Sequence, residues 1–113
     1  NKPNMIAQLS KIEIDTLSHF NRFLFEMDQI KEGEGTLLDH TTVVMGSNFG
    51  DASSHTCDFL PMIVAGGGYK HQTHTVLEKQ TPLCNLYLEL LHKHDVDAAS
   101  FGSSVADMGL LKG

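Results

Sequence analysis

Residues 41–68 read TTVVMGSNFGDASSHTCDFLPMIVAGGG and hold two apolar stretches separated by a polar one. The β-branched and apolar residues 41–45 predict a short strand, and the apolar run 60–65 predicts a second. Pro61 has no N–H to donate, so we expect it to open the second strand. Because both runs are apolar throughout, they indicate strands buried on two faces, as in a sheet covered by helices.

A long amphipathic helix is predicted over residues 4–31, before this segment. Its apolar residues recur at steps of mostly three and four, which is the helical period. They are Met5, Leu9, Ile12, Phe20, Phe23, Met27 and Ile30, with Ile6, Leu17 and Leu24 widening the stripe. Pro3 suits the first helical turn, and Gly33 and Gly35 are expected to end the helix in the left-handed conformation.

A second helix is predicted over residues 81–94, after the glycine triplet 66–68. Thr81 is the expected N-cap and Pro82 the expected first helical residue. Its apolar face consists of Leu83, Leu86, Tyr87, Leu90 and Leu91. A weaker strand over residues 74–77, a turn at 101–102 and a short helix over 105–111 complete the prediction.

The order helix, strand, loop, strand, helix predicts an α/β fold with a small mixed or parallel sheet flanked by helices. We expect residues 1–113 to form a single unit. A sheet of two or three strands leaves edges that an isolated small domain must cover. Either a further portion of the protein or a homo-oligomer formed through the exposed sheet edge is therefore expected.

Composition excludes two classes of partner. The formal net charge is −6, and no cluster of basic residues is present, so a nucleic-acid surface is not expected. The apolar runs are far shorter than the roughly 20 residues that cross a bilayer, and no signal peptide is recognisable. Cys57 and Cys84 lie outside any zinc-binding or Cys-x-x-Cys spacing, which leaves open whether they pair.

The polar loop between the predicted strands carries most of the candidate chemistry. Asn48 and Asp51 offer oxygen ligands, His55 offers an imidazole nitrogen, and Asp58 is placed to orient that imidazole. The loop leaves the carboxyl end of a strand, where ligands gather in open α/β sheets. The alternative is a polar surface connection in which Asp and Asn form turns. Spacing alone favours the alternative, because no tight ligand motif is present.

The strings GEGTLLDHTTVVMGSNFGDASSHTCDFLPMIVAGGG and TPLCNLYLELLHKHDVDAASFG resemble the C-terminal part of an uncharacterised bacterial family named for a His-x-x-Ser-His-His motif. That family resembles the alkaline phosphatase and sulfatase superfamily. The resemblance implies an alkaline-phosphatase-like fold and a parent protein that hydrolyses phosphate or sulfate esters with a divalent metal such as zinc, calcium or manganese. It implies Asn48, Asp51 and His55 as metal-site residues, with the nucleophile outside this chain.

The superfamily's Ser-Asp-His-Gly motif is represented here by Ser47-Asn48-Phe49-Gly50. A neutral amide and a phenyl ring therefore replace two metal ligands. Two hypotheses follow. The chain is the C-terminal fragment of a hydrolase-like protein and is inactive alone, or it is a non-catalytic domain that binds a partner or a saccharide-like ligand. The resemblance implies a periplasmic or exported bacterial parent in both cases.

Overall fold

The computed structural model describes residues 2–71 and 74–113 as a small mixed α/β protein. Its elements are α1 (Pro3–Gln29), β1 (Lys31–Glu32), β2 (Gly35–Thr36), β3 (Thr42–Gly46), β4 (Met62–Gly66) and α2 (Leu83–Lys93). The strands form two two-stranded sheets, β1 with β2 and β3 with β4. The predicted α/β class is confirmed at this level. The chain divides into two compact units, residues 1–43 with 65–68 and residues 44–64 with 69–113.

Helix α1 begins at Pro3, as predicted, and ends at Gln29. The prediction that Gly33 and Gly35 terminate it is wrong, because Ile30 already leaves the helix with extended backbone (φ −88°, ψ 118°). The glycines instead shape the antiparallel β1–β2 hairpin, in which Glu32 lies opposite Gly35. Gly33 takes φ +60° at the hairpin turn, where a residue without a Cβ is favoured.

The apolar stripe of α1 is covered only near the C-terminal end of the helix. Met27 is buried, and Phe20 and Leu24 are half-buried. The remaining large apolar side chains of the helix are exposed: Met5, Ile6, Leu9, Ile12, Ile14, Leu17, Phe23 and Phe25. The predicted helix is therefore confirmed, while most of its stripe has no covering layer among the described residues.

Strands β3 and β4 lie where the sequence predicts them, with Pro61 immediately before β4. The pair is antiparallel, since the Ser47 N–H donates to the Pro61 carbonyl (3.3 Å) and Gly46 lies against Met62. The predicted mixed or parallel sheet is therefore wrong. Burial on two faces is also wrong: Val44 is 36% and Ile63 40% exposed. A two-stranded hairpin without helices on both sides leaves alternate side chains open to water.

Helix α2 is confirmed with a shift of one residue at its start. Pro82 has extended backbone and precedes the first helical residue, Leu83. Thr81 does not cap the helix, because its hydroxyl donates to the Glu78 carbonyl (2.8 Å). Leu86 and Leu88 are buried and, with Leu111 further along the chain, form the apolar core of this unit in the described residues.

Two weaker predictions fail in the segments around α2. Residues 74–77 form no strand, and Val76 is 78% exposed. Residues 105–111 form no helix: Gly109 takes φ +61°, a left-handed conformation that interrupts a right-handed helix. The predicted turn at 101–102 is confirmed by the Ser104 N–H, which donates to the Phe101 carbonyl (2.9 Å).

Two polar side chains of α2 hold the C-terminal segment. The Val105 N–H donates to Oδ1 of Asn85 (2.9 Å), and the Leu111 N–H donates to Oε1 of Glu89. Glu89 is fully buried at 0% exposure, and its Oε2 has no hydrogen-bond partner in the described part of the chain. Burying a carboxyl group is costly unless its oxygens are satisfied. The bond to Leu111 therefore offsets part of the free-energy cost of burying Glu89.

Glu89→Ala should lower the free energy of unfolding by about 3 kcal/mol, because it leaves a buried N–H unpaired and opens a cavity. Glu89→Gln keeps an oxygen acceptor for Leu111 and removes a buried acid, so it should stay within about 1 kcal/mol of the parent chain. Urea unfolding measures both, with the exposed Glu13→Ala as control. Equal stability of the Ala and Gln variants would show that the Leu111 bond contributes nothing.

Candidate functional site

The loop that joins β3 to β4 is closed by backbone contacts at successive levels. At its base the Ser47 N–H donates to the Pro61 carbonyl (3.3 Å). Further out, the Gly50 N–H donates to the Thr56 carbonyl (2.9 Å), and Asp51 forms an isolated antiparallel bridge with Thr56. The loop therefore continues the hairpin beyond the strands. Because it connects antiparallel strands, the rule for ligands at the carboxyl ends of a parallel sheet does not apply to it.

Gly50 is required where the two sides of this loop approach each other. A Cβ atom on Gly50 would collide with the backbone carbonyl of Asp58. Backbone atoms cannot move aside as a flexible side chain can, so any larger residue would open the loop. Asp58, predicted to orient His55, makes no hydrogen bond to that ring among the described residues, and its backbone is what contacts Gly50.

Asp51 organises the tip of the loop. Its Oδ1 accepts hydrogen bonds from the Ser54 backbone N–H (2.7 Å) and from the Ser54 hydroxyl (2.7 Å). Both bonds lower the pKa of Asp51 below its ordinary value of 3.8, and the backbone bond has the larger effect. The carboxylate is therefore ionised at neutral pH, which is the state that binds a cation. The same contacts form a turn, which is the role that the alternative hypothesis of a polar surface connection gives to Asp51.

His55 stacks on Phe49 with ring centroids 4.9 Å apart and planes inclined by 15°. The backbone of His55 is left-handed, with φ +53°, a conformation that is uncommon for a residue with a Cβ. Phe49 cannot bind a metal, but its face holds the imidazole plane. Phe49 thus acts on the ring of His55 through this stacking contact.

Asn48 lines a cavity of about 600 Å³ within the unit formed by residues 44–64 and 69–113. The lining residues are Val44, Gly46, Ser47, Asn48, Phe49, Cys57, Leu60, Met62, Leu83 and Tyr87. Asp51 and His55 belong to the same loop but not to this lining. The three predicted metal residues are therefore held in one closed loop, while only Asn48 faces the cavity.

Comparison of the chain with protein-family models, with curated proteins and with solved structures finds no match. Within residues 2–71 and 74–113, no group of three or more His, Cys, Asp and Glu side chains is arranged to hold a metal ion. No helix in that part of the chain is both long and apolar enough to cross a membrane. Functional inference for this chain therefore starts from its own loop and cavity.

Cys57 and Tyr87 were not predicted as site residues, yet both line the cavity. Cys57 is exposed and free, and Cys84 is also free. Hydrogen bonds from the Ser103 side chain and backbone lower the pKa of the Cys84 thiol below its ordinary value of 9.0. Tyr87 lies one helical turn after Leu83. The predicted apolar face of α2 contains both residues and was therefore the feature of the sequence that could have located Tyr87.

A second polar cluster joins α2 to the segment that follows it. Nδ1 of His92 lies 2.7 Å from Oδ2 of Asp107, and Nε2 lies 2.8 Å from the Ala98 carbonyl. Both partners are acceptors, so the imidazolium, in which both ring nitrogens carry a proton, is the form that satisfies both contacts. The pKa of His92 is raised above its ordinary value of 6.5, mostly by the Ala98 carbonyl and next by the Asp107 carboxylate. Neither residue was predicted to lie in a cluster.

Gly50→Ala should open the loop, because the new Cβ meets the Asp58 carbonyl. Amide hydrogen exchange at position 50 should accelerate at least about tenfold, as expected for a lost local hydrogen bond. The loop residues that flank Thr56 should show the same acceleration. Ala52→Ser, at the exposed tip of the same loop, is the control and should leave exchange unchanged. Unaltered protection in Gly50→Ala would show that the loop does not depend on this approach.

The His92 cluster should make stability depend on pH. Because the folded pKa of His92 is raised, its contribution is full below the unfolded value of about 6.5 and is lost as pH rises through the folded pKa. The pKa of Asp107 is lowered, chiefly by the His92 hydrogen bond, so its contribution is full above about 3.8 and is lost as pH falls through the folded pKa. The cluster therefore stabilises the fold most between those values.

Urea unfolding at about pH 5.5 and about pH 8.5 measures this effect, since these values lie on the two sides of the His92 transition. The parent chain should lose more stability between them than Asp107→Asn, which removes the carboxylate partner. His40→Gln is the control, because His40 pairs with Glu32 in a different part of the chain (3.0 Å). Identical pH dependence in the parent chain and in Asp107→Asn would rule out the cluster as the cause.

Proposed function

We propose that this chain is the C-terminal portion of a metal-dependent, hydrolase-like protein that acts on phosphate or sulfate esters, with an alkaline-phosphatase-like fold in the complete protein. The observation that supports the proposal is the closed loop 47–61, which holds an ionised Asp51 and an imidazole of fixed plane, His55. Asp51 is held by Ser54 and His55 by Phe49, so both side chains are positioned by contacts that need no bound metal. The exported or periplasmic location of the parent belongs to the same proposal.

The side chains on the loop fit a divalent cation as part of a ligand set. An amide oxygen of Asn48, the Asp51 carboxylate and an imidazole nitrogen of His55 are donors that zinc and manganese accept, and calcium accepts the two oxygens. Oδ2 of Asp51 is not used by the Ser54 bonds, which both fall on Oδ1. Further ligands would come from other parts of the parent protein. A bound metal would polarise the ester and stabilise charge on the transferring group.

A non-catalytic binding domain is the second candidate function. The observation that favours it is the replacement of two superfamily ligands by Asn48 and Phe49, with Phe49 in the cavity wall and stacked on His55. A neutral amide binds a cation more weakly than a carboxylate does. In this alternative the loop holds a small ligand or a partner without turnover, and a homo-oligomer through the exposed sheet edge is compatible with it.

Metal retention separates the two candidates. After loading with zinc or manganese and dialysis, the complete protein with His55→Ala should retain at least about tenfold less metal than the unsubstituted complete protein, as expected when a ligand is removed. Asn48→Asp should retain more, because it restores a carboxylate without changing the shape of the side chain. Metal content is measured by elemental analysis, and the exposed His19→Ala on α1 is the matched histidine control.

The 113-residue chain should not hydrolyse p-nitrophenyl phosphate or p-nitrophenyl sulfate in any metal-loaded form, since the resemblance places the nucleophile outside these residues. Equal metal retention in the unsubstituted complete protein, His55→Ala and Asn48→Asp would contradict the metal site and leave the binding function as the better account. Hydrolysis by the parent chain that is lost in His55→Ala would show that the catalytic groups lie within these residues.

A further inference from the structure

The cavity beside the loop is lined mainly by apolar side chains and is open to solvent, since Val44, Phe49 and Cys57 in its wall are exposed. Aliphatic and thioether side chains form much of its surface, from Val44, Leu60, Met62 and Leu83, and the rings of Phe49 and Tyr87 complete it. Its volume of about 600 Å³ falls within the range of about 300–1,000 Å³ that is typical of small-molecule sites. Size and lining thus suit an organic molecule rather than a single ion or a few waters.

Among the described residues, the lining contains no Lys, Arg, His, Asp or Glu. A phosphate, sulfate or carboxylate group placed there would gain no ion pair to offset the hydration that contact with apolar side chains removes. The lining therefore disfavours an anionic occupant and suits an uncharged one.

The polar groups of the lining are few, as expected where they select orientation rather than supply most of the affinity. Asn48 offers an amide that both donates and accepts, and Tyr87 offers a hydroxyl. The Ser47 hydroxyl is less available, because it already donates to the Phe49 carbonyl (2.8 Å). A lining that holds one amide and two aromatic rings is a suitable setting for a flat ligand with a single hydrogen-bonding group.

We propose that this cavity binds an uncharged small molecule that contains an aromatic or similarly flat apolar ring and one hydrogen-bonding group, with Asn48 as its polar contact. The site goes beyond the proposed hydrolase function, since it requires neither a metal nor the charged group of an ester. In a complete hydrolase it would hold an apolar organic portion of a substrate. In a non-catalytic domain it would be the ligand site itself.

Two fluorescent probes of the same ring skeleton test the charge and the class of ligand. N-phenyl-1-naphthylamine is neutral and carries one N–H, and 1-anilinonaphthalene-8-sulfonate adds a sulfonate. The neutral probe should bind the metal-free chain with a Kd at least about tenfold lower, because the sulfonate would lose part of its hydration and gain no ion pair. Equal or tighter binding of the sulfonate would overturn the proposal. Metal retention is measured separately, so failure of this proposal and failure of the metal site give different results.

Cys57 provides a direct test of location, because it lines the cavity and is exposed. In a Cys84→Ser chain, the neutral probe should slow modification of Cys57 by a disulfide reagent, and attachment of N-phenylmaleimide to Cys57 should raise the probe's Kd at least about tenfold by blocking the site. The same label on Ser18→Cys, in a chain without Cys57 and Cys84, is the control and should leave the Kd unchanged.

The exposed apolar stripe of α1 is the competing location for an apolar probe. A Leu9→Ser, Ile12→Ser variant removes two exposed side chains of that stripe and should bind the neutral probe as the parent chain does. Loss of binding in this variant, or unchanged Cys57 modification in the presence of saturating probe, would place the probe on α1 and overturn the cavity site. The modification assay needs no change to the cavity wall, so it remains decisive if a labelled chain unfolds.

Discussion

The antiparallel pairing of β3 with β4 decides where the polar loop and its side chains can lie. Two strands that run in opposite directions are joined by a connection that starts and ends at the same edge, so residues 47–61 must double back on themselves. The Ser47–Pro61 hydrogen bond begins this reversal, and the missing side chain of Gly50 allows it to continue. Asp51 and His55 are positioned by the closure that results.

Much of the secondary structure could be predicted from local patterns, because helices and short strands leave a period in the sequence. Helices α1 and α2 and strands β3 and β4 follow the apolar repeats of the chain. Strand direction could not be predicted in the same way, since an apolar run reads alike in parallel and antiparallel pairs. The predicted helix at 105–111 fails because Gly109 is left-handed, and the Leu111 N–H donates to Glu89 of α2 instead of to a carbonyl of its own segment.

The candidate site shows the same division between local and distant information. The chemical types of Asn48, Asp51 and His55 could be read from the sequence, and so could the turn-forming capacity of Asp51. The cavity could not, because its walls combine both strands, the loop and the first turns of α2. Asp107 was missed for a similar reason: the hydrogen bond joins it to His92 across 15 residues of chain, and its carboxylate has no helical spacing to that ring.

The burial of Glu89 has a consequence for the order in which this part of the chain becomes structured. The N–H that donates to the buried carboxyl belongs to Leu111, 22 positions further on. During synthesis, α2 emerges from the ribosome before that partner does. Until residue 111 has left the exit tunnel, the Glu89 carboxyl lacks this donor and is more stable in water than buried. The helix therefore reaches its final packing only after this later segment has joined it.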